Sequence, residues 1–301
     1  AALLDLGGPD HVVVTTDAML EGRHFRLDWL AAKEVGGRAA AGALSDIAAM
    51  GAAPAAAFCT VGLPPEWPVE RADALLGGVI DAVQAAGGTL AGGDVIADDR
   101  VLIDIMALGR VPRGQALLRS GARPGQVLAV TGALGAPAAA VMALSELGPK
   151  ALGRAELAPV RRRFARPEPR VSAGRAIAAS GLASAAIDIS DGLVQDAGHI
   201  AERSGVRTVI EAWRVPIAEG CAAVAQRIGG DALTYALAGG EDFELLIALD
   251  EADLPGLRAL TAVAEIGLTV VGRVQEGVGS VALDEEGREI GLPRGGWDHF
   301  A

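Results

Sequence analysis

The strongest constraint on this chain is a pattern that recurs along its length, in which a run of small or apolar residues ends in a carboxylate beside Gly, Ser or Thr. The five occurrences are Thr15-Thr16-Asp17, Leu44-Ser45-Asp46, Gly92-Gly93-Asp94, Asp188-Ile189-Ser190-Asp191-Gly192 and Gly239-Gly240-Glu241-Asp242. Acids at the ends of apolar runs from both halves of a chain can converge on one cleft. Mg²⁺ prefers a few carboxylates together with substrate phosphates, and glycine lets the backbone approach a phosphate closely. The pattern therefore predicts a site for metal ions and a nucleotide.

Taken singly, each acidic motif also fits an ordinary structural role. Asp191 before Gly192 fits a turn, and Asp17 fits a strand end that bonds its own backbone. Asp46 is more informative, because it lies within an alanine-rich segment that is expected to be helical. Aspartate is a poor helix former and is costly to bury without a partner. A metal ion would be such a partner.

The composition narrows the class of protein. A chain of 301 residues predicts two domains or one large α/β unit. With 26 Lys and Arg against 38 Asp and Glu, the net charge of -12 disfavours nucleic acid and anionic membranes as partners. Cys59 and Cys221 are the only cysteines, so neither a disulfide framework nor a zinc site is indicated, and we expect a reducing, cytoplasmic setting.

No part of the sequence predicts a membrane span or a signal peptide. The most membrane-like stretch, residues 127–145, is uncharged but mostly Ala and Gly, and it contains Thr131 and Pro137. It is better explained as strand, loop and helix. The first residues show no basic segment followed by an apolar one.

Helices and strands alternate in both halves of the chain, which predicts an α/β or α+β fold. Strands are expected at residues 12–14, 55–61, 89–91, 101–108, 127–130, 185–189, 208–210, 245–249 and 269–271. Helices are expected at residues 31–50, 69–86, 136–147, 171–179 and 193–204. Residues 109–114, Gly-Arg-Val-Pro-Arg-Gly, form the best candidate boundary, so we expect domains at residues 1–112 and 113–301.

The scarcity of lysine excludes the commonest phosphate-binding loop. Lys33 and Lys150 are the only lysines, and neither ends a Gly-x-x-x-x-Gly-Lys motif. Phosphate charge would then be offset by metal ions and selected arginines, of which Arg119 in residues 118–122 is the strongest candidate. An exposed turn explains Arg119 equally well. The run Arg161-Arg162-Arg163 is interpreted as a solvated helix face.

Covalent catalysis finds little support in the sequence. The chain has no Gly-x-Ser-x-Gly motif, and its four histidines form no His-x-x-x-His pair. Phosphoryl transfer asks less of side chains, since positioning and charge neutralisation supply most of the rate. That reaction matches a chain rich in acids and poor in nucleophiles.

Taken in order, the motifs resemble those of the thiamine-monophosphate kinase family. The resemblance is carried by residues 14–25, 44–51, 92–94, 119–122, 188–193, 239–245 and 297–300. It extends over essentially the whole chain and is highly specific.

The resemblance implies the two-domain α/β (α+β) fold shared with aminoimidazole-ribonucleotide synthetase. Residues 1–112 would bind ATP and metal and form the dimer, in which the N-terminal sheets of two subunits build a barrel. Residues 113–301 would complete the active site. ATP and several Mg²⁺ ions would bind in the cleft, and the γ-phosphoryl group would pass directly to thiamine monophosphate, giving thiamine diphosphate without a phosphoenzyme.

Site residues follow from the same resemblance by matching position. The implied metal-binding residues are Thr15, Thr16, Asp17, Asp46, Asp94, Asp188 and Asp191, with Asp46 and Asp188 closest to catalysis. The implied ATP contacts are Gly93, Asp94, Arg119 and Ser190. The implied contacts to thiamine monophosphate are His24, Glu241 and Trp297. A histidine can donate to the acceptor phosphate, and an aromatic face suits a cationic thiazolium, although Trp297 also fits a C-terminal core anchor.

One departure from the family pattern concerns the start of the chain. The family has a Gly-Asp-Asp segment just before the first strand, which supplies a further metal ligand. Residues 1–5, Ala-Ala-Leu-Leu-Asp, resemble the tail of that segment. We therefore expect that upstream residues are absent from this numbering, and that a molecule lacking them would bind metal and turn over less well.

Two alternatives remain open. One is another enzyme of the same fold, such as aminoimidazole-ribonucleotide synthetase. Selenophosphate synthetase would need a reactive Cys near its N-terminus and the hydrogenase-maturation dehydratase a C-terminal Cys, and this chain ends Asp298-His299-Phe300-Ala301. The other alternative is a non-catalytic nucleotide sensor, against which the intact acidic set weighs.

Overall fold

The computed structural model describes residues 1–292, which fold around two mixed β-sheets with helices packed against them. The strands are β1 (Ala2–Leu4), β2 (Asp10–Leu20), β3 (Ala53–Leu63), β4 (Thr89–Ala97), β5 (Leu102–Pro112), β6 (Val127–Thr131), β7 (Ala183–Asp188), β8 (Arg207–Glu211), β9 (Leu245–Leu249), β10 (Leu268–Gln275) and β11 (Gly279–Leu283). The helices are α1 (Ala32–Ala49), α2 (Val69–Ala85), α3 (Ala136–Leu147), α4 (Ala158–Ala165), α5 (Val171–Ser180), α6 (Leu193–Ser204), α7 (Cys221–Ile228), α8 (Ala232–Ala238), α9 (Leu254–Arg258) and α10 (Thr261–Ala264).

The first sheet has the order β1-β2-β5-β3-β4, and its pairs are antiparallel except for β3 with β4. Side chains alternate between its two faces, as the two-residue period of a strand requires. Val13, Ile103 and Ile105 are fully buried on the face that packs against the helices. The opposite face is open, and β4 lies exposed at one edge. Among residues 1–292, the open face and the β4 edge carry the exposed side chains of the first sheet, such as Thr16, Val95 and Ile96.

Helix α1 is the central element of the first unit. The Glu34 carboxylate accepts a 3.1 Å hydrogen bond from the Ala31 N–H, which closes its first turn. Its alanines and glycines allow close approach to α2, since a Cβ on Gly36 would lie 1.9 Å from the Leu75 carbonyl oxygen. Gly51 then ends the helical segment with φ at 69°. Because its side chains are small, neighbouring elements pack closely around α1, and most of its residues are buried.

The second sheet has the order β11-β8-β10-β6-β9-β7 and carries helices on both faces. Leu128 on one face packs in a cluster with Ile200 of α6. Ile247 on the other face packs in a cluster with Ile177 of α5, and Ala48 of α1 joins that cluster. Helix α1 therefore contacts the second unit as well as the first.

The expected helices and strands occur, with different lengths in places. Strand β2 begins two residues before the predicted segment 12–14 and extends six residues beyond it, through Thr15, Thr16 and Asp17 to Leu20. Strands β1 and β11 and helices α7, α8, α9 and α10 were not predicted, and α4 was expected only as the helix face that carries the arginine run. The linker between the two sheets runs from residue 113 to 126, yet one apolar cluster includes Leu44 of α1 and Phe164 of α4. Within residues 1–292, no helix is both long and apolar enough for a membrane span.

Candidate metal and nucleotide site

One face of α1 carries the side chains around which the site is built. Arg38, Gly42 and Asp46 are spaced by four residues and Ser45 follows Gly42 by three, so all four lie on one side of the helix. Gly42 and Asp46 face β2, Ser45 contacts Asp188, and Arg38 contacts Glu241. The helix thereby brings distant parts of the sequence to one place.

Asp46 lies on α1, as the alanine-rich segment predicted, and its side chain faces β2. Its Oδ2 atom accepts a hydrogen bond from the hydroxyl of Thr15, which is buried on the helix-facing side of β2. Asp17 lies two residues further along β2 and therefore on the same side. A Cβ on Gly42 would lie only 2.1 Å from Asp17 Oδ2, so glycine leaves room for this carboxylate against the helix. Thr15, Asp17 and Asp46 thus form one group.

Asp188 joins this group from the second sheet. It ends β7 and is only 4% exposed. The Ser45 hydroxyl donates a 2.7 Å hydrogen bond to Asp188 Oδ2. The neighbouring position on α1 is Asp46, so acids from both halves of the chain meet at this helix.

The carboxylates of the cluster repel one another in a poorly solvated place. Burial first, and then the charges of Asp46 and Glu241, raise the pKa of Asp17 to about 7. Burial and the charge of Asp46 likewise raise the pKa of Asp188 to about 6, against the lowering effect of its Ser45 hydrogen bond. Carboxylates this close together cannot all be ionised unless a cation offsets their mutual repulsion, and carboxylate oxygens are the ligands that hard divalent cations prefer. The residues present therefore fit Mg²⁺.

The segment after β7 is folded around a buried aspartate that the sequence interpretation missed. Asp196 of α6 accepts N–H hydrogen bonds from Ser190, Asp191 and Gly192 at 3.0, 3.0 and 3.1 Å. Ligand atoms of Asp191, Asp196 and His199 all lie within 4.8 Å of one another. Asp191 is half-buried, so its carboxylate is available beside the Asp188 end of the cluster.

Arg119 lies at the mouth of the site. A cavity of about 370 Å³ is lined by Asp46, Asp188, Arg119, Ser120, His199 and Arg203 among others. Arg119 is exposed, and its charge lowers the pKa of Asp188. The predicted arginine therefore shares one cavity with two of the predicted metal ligands.

Glu241 approaches the site from the loop before β9. Its N–H donates a 2.9 Å hydrogen bond to the Ser190 carbonyl oxygen, which places this loop beside the segment after β7. A Cβ on Gly240 would lie 2.3 Å from the same oxygen, so the double glycine permits that approach. The Glu241 carboxylate accepts a 2.7 Å hydrogen bond from Arg38 Nη2. The charge of Glu241 also contributes to the raised pKa of Asp17.

Three predicted residues lie elsewhere in the single chain. Thr16 is exposed on the open face of the first sheet, because alternate residues of a strand point to opposite sides. Asp94 and Gly93 lie on β4, where Asp94 pairs with Thr60 of β3. Strands β5 and β3 separate β4 from β2, a distance of about 14 Å at the usual spacing of strands. Within residues 1–292, the structure does not bring Thr16 and Asp94 to the Asp46 cluster.

His24 lies in the turn that follows β2 and is half-buried. Its Nδ1 atom accepts a 3.0 Å hydrogen bond from the Leu20 N–H, which assigns the ring proton of the neutral form to Nε2. Trp297, predicted to pack on the substrate ring, lies outside the described residues.

Several residues of the site were not singled out from the sequence. Ser45 could have been found, because it directly precedes Asp46 in the same motif. Arg38 and Glu244 could not, because their partners lie far away in sequence. The arginine run was also misinterpreted in part, since Arg161 pairs with Glu34 and Arg163 with the buried Glu244. Only Arg162 of that run is exposed.

Two family models match the chain. They are the AIR synthase related protein N-terminal domain over residues 1–111 and the AIR synthase related protein C-terminal domain over residues 123–284.

Curated relatives and a solved structure match most of the chain. Thiamine-monophosphate kinase from Methanopyrus kandleri is 40% identical over 271 residues, covering 90% of this chain and 81% of the relative. The enzyme of the same name from Escherichia coli is 31% identical over 310 residues, covering 100% of this chain and 90% of the relative. A structure described as AaThiL complexed with AMPPCP and TMP superposes with a TM-score of 0.87 at 29% identity, covering 99% of this chain and 90% of that one.

Proposed function

This chain belongs to the thiamine-monophosphate kinase family of AIR synthase related proteins, and on that premise we propose that it phosphorylates thiamine monophosphate with ATP. The products are thiamine diphosphate and ADP. The main support for this proposal is that Asp17, Asp46 and Asp188 come together along one face of α1, beside Arg119. A relative of the same fold holds AMPPCP, an ATP analogue, together with TMP. An enzyme that joins two phosphates needs such a concentration of metal-binding oxygens.

Mg²⁺ is the cation that we assign to the acidic cluster. Asp17, Asp46, Asp188 and Asp191 would hold it, with the Thr15 hydroxyl orienting Asp46. Bound Mg²⁺ offsets the charge of the phosphates that react. Lysine is absent from these segments, so metal ions and arginine have to balance the phosphate charge.

The remaining residues of the chain position the substrates. Arg119 lines the same cavity as Asp188, and we expect it to pair with nucleotide phosphate. Ser190, on the segment after β7, is the other expected ATP contact from this half of the chain. His24 carries its ring proton on Nε2, which is buried in the described chain, so the proposed donation to the acceptor phosphate requires this atom to become exposed. Glu241 offers a negative charge to the cationic acceptor. The family resemblance implies direct in-line transfer to the acceptor phosphate without a phosphoenzyme, and for such a transfer positioning and charge neutralisation supply most of the catalysis.

We also propose a homodimer in which the first sheets of two subunits close into a barrel. Support comes from β4, an edge strand whose Val95 and Ile96 are 65% and 46% exposed. An unpaired edge with apolar side chains is a ready surface for pairing with another copy. Asp94 and Gly93 on this strand, and Thr16 on the open face, lie away from the cluster of their own chain. Their proposed contacts to metal and ATP are accordingly placed on the side that the partner would cover.

The domain roles follow from this arrangement. Residues 1–112 would supply the first sheet, α1 and the dimer contact, and residues 113–301 would supply Asp188, Arg119 and Glu241. Both cysteines are free and buried, which supports the proposed cytoplasmic location.

The test is incubation with ATP, Mg²⁺ and thiamine monophosphate, with chromatography of ADP and thiamine diphosphate. We expect equal amounts of the two products. Hydrolysis of ATP with another acceptor, and without thiamine diphosphate, would support another enzyme of the same fold. Nucleotide binding without any turnover would support a sensor.

A further inference from the structure

Arg38 is a buried residue whose side chain contacts the more exposed carboxylate of Glu241. Its side chain is 1% exposed, whereas that of Glu241 is 35% exposed. Arg38 Nη2 donates to Glu241 Oε2 at 2.7 Å, and Nη1 donates to the carbonyl oxygen of Phe164. The guanidinium carbon lies 4.5 Å from the centre of the Phe164 ring. Arg38 is therefore held on α1 and α4 and presents one fixed donor to Glu241.

The segment that carries Glu241 has an unusual backbone. Glu241 and Phe243 have φ of 67° and 52°, the only positive values among the non-glycine residues of the described chain. Side chains with a Cβ are strained in this left-handed region, and such strain is kept only where surrounding contacts impose it. The Phe243 N–H donates a 2.9 Å hydrogen bond to the Ile189 carbonyl oxygen, and the Glu241 N–H bonds to Ser190. Backbone contacts thus fix the path of the segment.

The other end of the segment is anchored by charge. Glu244 is fully buried and pairs with Arg163 at 2.5 Å and with Arg170 at 2.7 Å. The Thr131 hydroxyl donates a further 2.7 Å hydrogen bond to Glu244. Arg163 directly precedes Phe164 on α4, so α4 contacts both ends of the segment. Glu241 is the half-exposed carboxylate that this arrangement leaves facing the site.

We propose that Arg38 is a positioning residue that fixes the Glu241 carboxylate for the cationic acceptor, an inference that rests on the proposed function. Arg38 is too buried to touch the substrate. Its donor occupies one oxygen of Glu241, which leaves the other oxygen directed to the ligand. Loss of Arg38 frees the Glu241 rotamer, so the acceptor binds less well while ATP, bound at the Asp188 cavity, is unaffected.

The variants are Arg38→Met, which keeps the length of the stem without donors, and Arg38→Lys, which keeps the charge with a single ammonium group. For Arg38→Met, we expect KM for thiamine monophosphate to rise about tenfold or more with KM for ATP within about twofold of wild type. KM of Arg38→Lys for thiamine monophosphate should lie between the values of wild type and Arg38→Met. Glu241→Gln combined with Arg38→Met should be no worse than Glu241→Gln alone, since the two residues act as one unit. Arg162→Met, an exposed neighbour on α4, is the matched control and should match wild type.

Direct binding of thiamine monophosphate by calorimetry separates the possible failures. If wild type forms thiamine diphosphate and Arg38→Met binds the acceptor as tightly as wild type, the role of Arg38 is wrong and the kinase assignment stands. Equal rises of KM for ATP and acceptor would also overturn it, because that result indicates a general structural role. If wild type neither binds nor converts the acceptor, both proposals fall. Thermal melting shows whether the Arg38→Met protein is folded. If it is not, acceptor binding and the two KM values of Arg38→Lys are compared with those of wild type instead.

Discussion

The hydroxyl of Ser45 donates a 2.7 Å hydrogen bond to the carboxylate of Asp188, and both side chains are buried. Ser45 lies on α1, which packs on the first sheet, and Asp188 ends an edge strand of the second sheet. A single hydroxyl thus connects the two halves of the acidic cluster. Its neighbour Asp46 makes the corresponding bond to Thr15 on the first sheet. The relative position of the two sheets therefore determines whether the proposed metal ligands face one another.

Ser45→Ala should weaken metal binding as well as the fold. The hydrogen bond lowers the pKa of Asp188, so its loss raises that pKa further and favours the protonated form. A hydrogen bond to a charged group contributes about 1.5–3 kcal/mol, and we expect a loss of free energy of unfolding of about that size. Urea denaturation and the Mg²⁺ dependence of turnover measure the two effects. Ser172→Ala, at an exposed position of α5, is the control, and an unchanged Mg²⁺ requirement in Ser45→Ala would contradict the prediction.

Mg²⁺ binding should release protons near neutral pH. The pKa of Asp17 is about 7 and that of Asp188 about 6 in the metal-free protein, so Mg²⁺ competes with protons there. The apparent affinity should increase as the pH rises from about 6 to about 8. Calorimetry in buffers of different ionisation enthalpy counts the protons released. Binding that is independent of pH across this range would show that these carboxylates do not hold the metal.

The same shifts determine how metal-free stability depends on pH. The folded protein keeps a proton on Asp17 up to about pH 7, whereas the unfolded chain releases it near the ordinary value of 3.8. Because the folded state binds more protons in this window, the contribution of Asp17 to stability decreases as the pH rises from about 4 to about 7. Urea midpoints of Asp17→Asn should be less sensitive to pH in that window than those of wild type. Equal slopes would contradict the raised pKa of Asp17.

Gly42→Ala should lower activity while leaving the fold intact. Alanine favours a helix over glycine by about 1 kcal/mol, but its Cβ would lie 2.1 Å from Asp17 Oδ2. The carboxylate can rotate away, and it would then leave the metal cluster. Gly37→Ala on the same helix is a close control, since its Cβ would lie 3.7 Å from the nearest atom, the Gly78 carbonyl oxygen. We expect normal turnover and equal or higher melting temperature for Gly37→Ala, and much reduced turnover for Gly42→Ala at a similar melting temperature.

Glu244→Gln should destabilise the protein strongly. Glu244 is fully buried between Arg163 and Arg170, and removal of one partner from a buried pair typically costs about 3–5 kcal/mol. Differential scanning calorimetry should show a clear decrease in melting temperature. Glu286→Gln removes an ion pair with Arg288 in which both side chains are well exposed, and it should leave the melting temperature unchanged. A small effect of Glu244→Gln would mean that the arginines find other partners.

Val95→Glu should separate the proposed dimer. Val95 is 65% exposed at the edge strand β4, and a charge there would oppose an apolar contact between two copies. We expect wild type to elute as a dimer in light scattering coupled to gel filtration, and Val95→Glu as a monomer with reduced turnover. Val278→Glu, at an 84% exposed valine of the second unit, should remain dimeric. A monomeric wild-type protein would overturn the barrel across two subunits.

Local sequence patterns predicted many of the helices and strands and named the acids that the structure brings together, but they did not predict the contacts between distant residues. Asp46 was recognised because an acid in an alanine-rich helix is conspicuous. Asp17 was expected near a strand end, yet β2 continues to Leu20, since pairing with β5 along its whole length overrides the polar Thr15-Thr16-Asp17 run. The burial of Thr15 and the partial burial of Asp17 follow from tertiary structure, which local propensity does not describe.

The charged pairs show more clearly what local sequence patterns cannot predict. Arg38 and Glu241 are separated by 203 positions, and no periodicity links them. The arginine run looked like a solvated helix face, but two of its three members pair with Glu34 and Glu244. Such partners are determined by how α4 packs between the two units. A pattern read along one chain contains no information about that packing.

The sharing of one helix face by Arg38, Gly42, Ser45 and Asp46 has a consequence for how this protein can change over evolutionary time. Each residue added to a helix turns everything after it by about 100°. An insertion within α1 would therefore direct Ser45 and Asp46 away from Asp188 and Thr15 while Arg38 stayed in place. Substitutions that keep side chains small can accumulate along this helix, but changes of length cannot. We expect insertions and deletions among functional relatives to be concentrated in the loops and to be absent from α1.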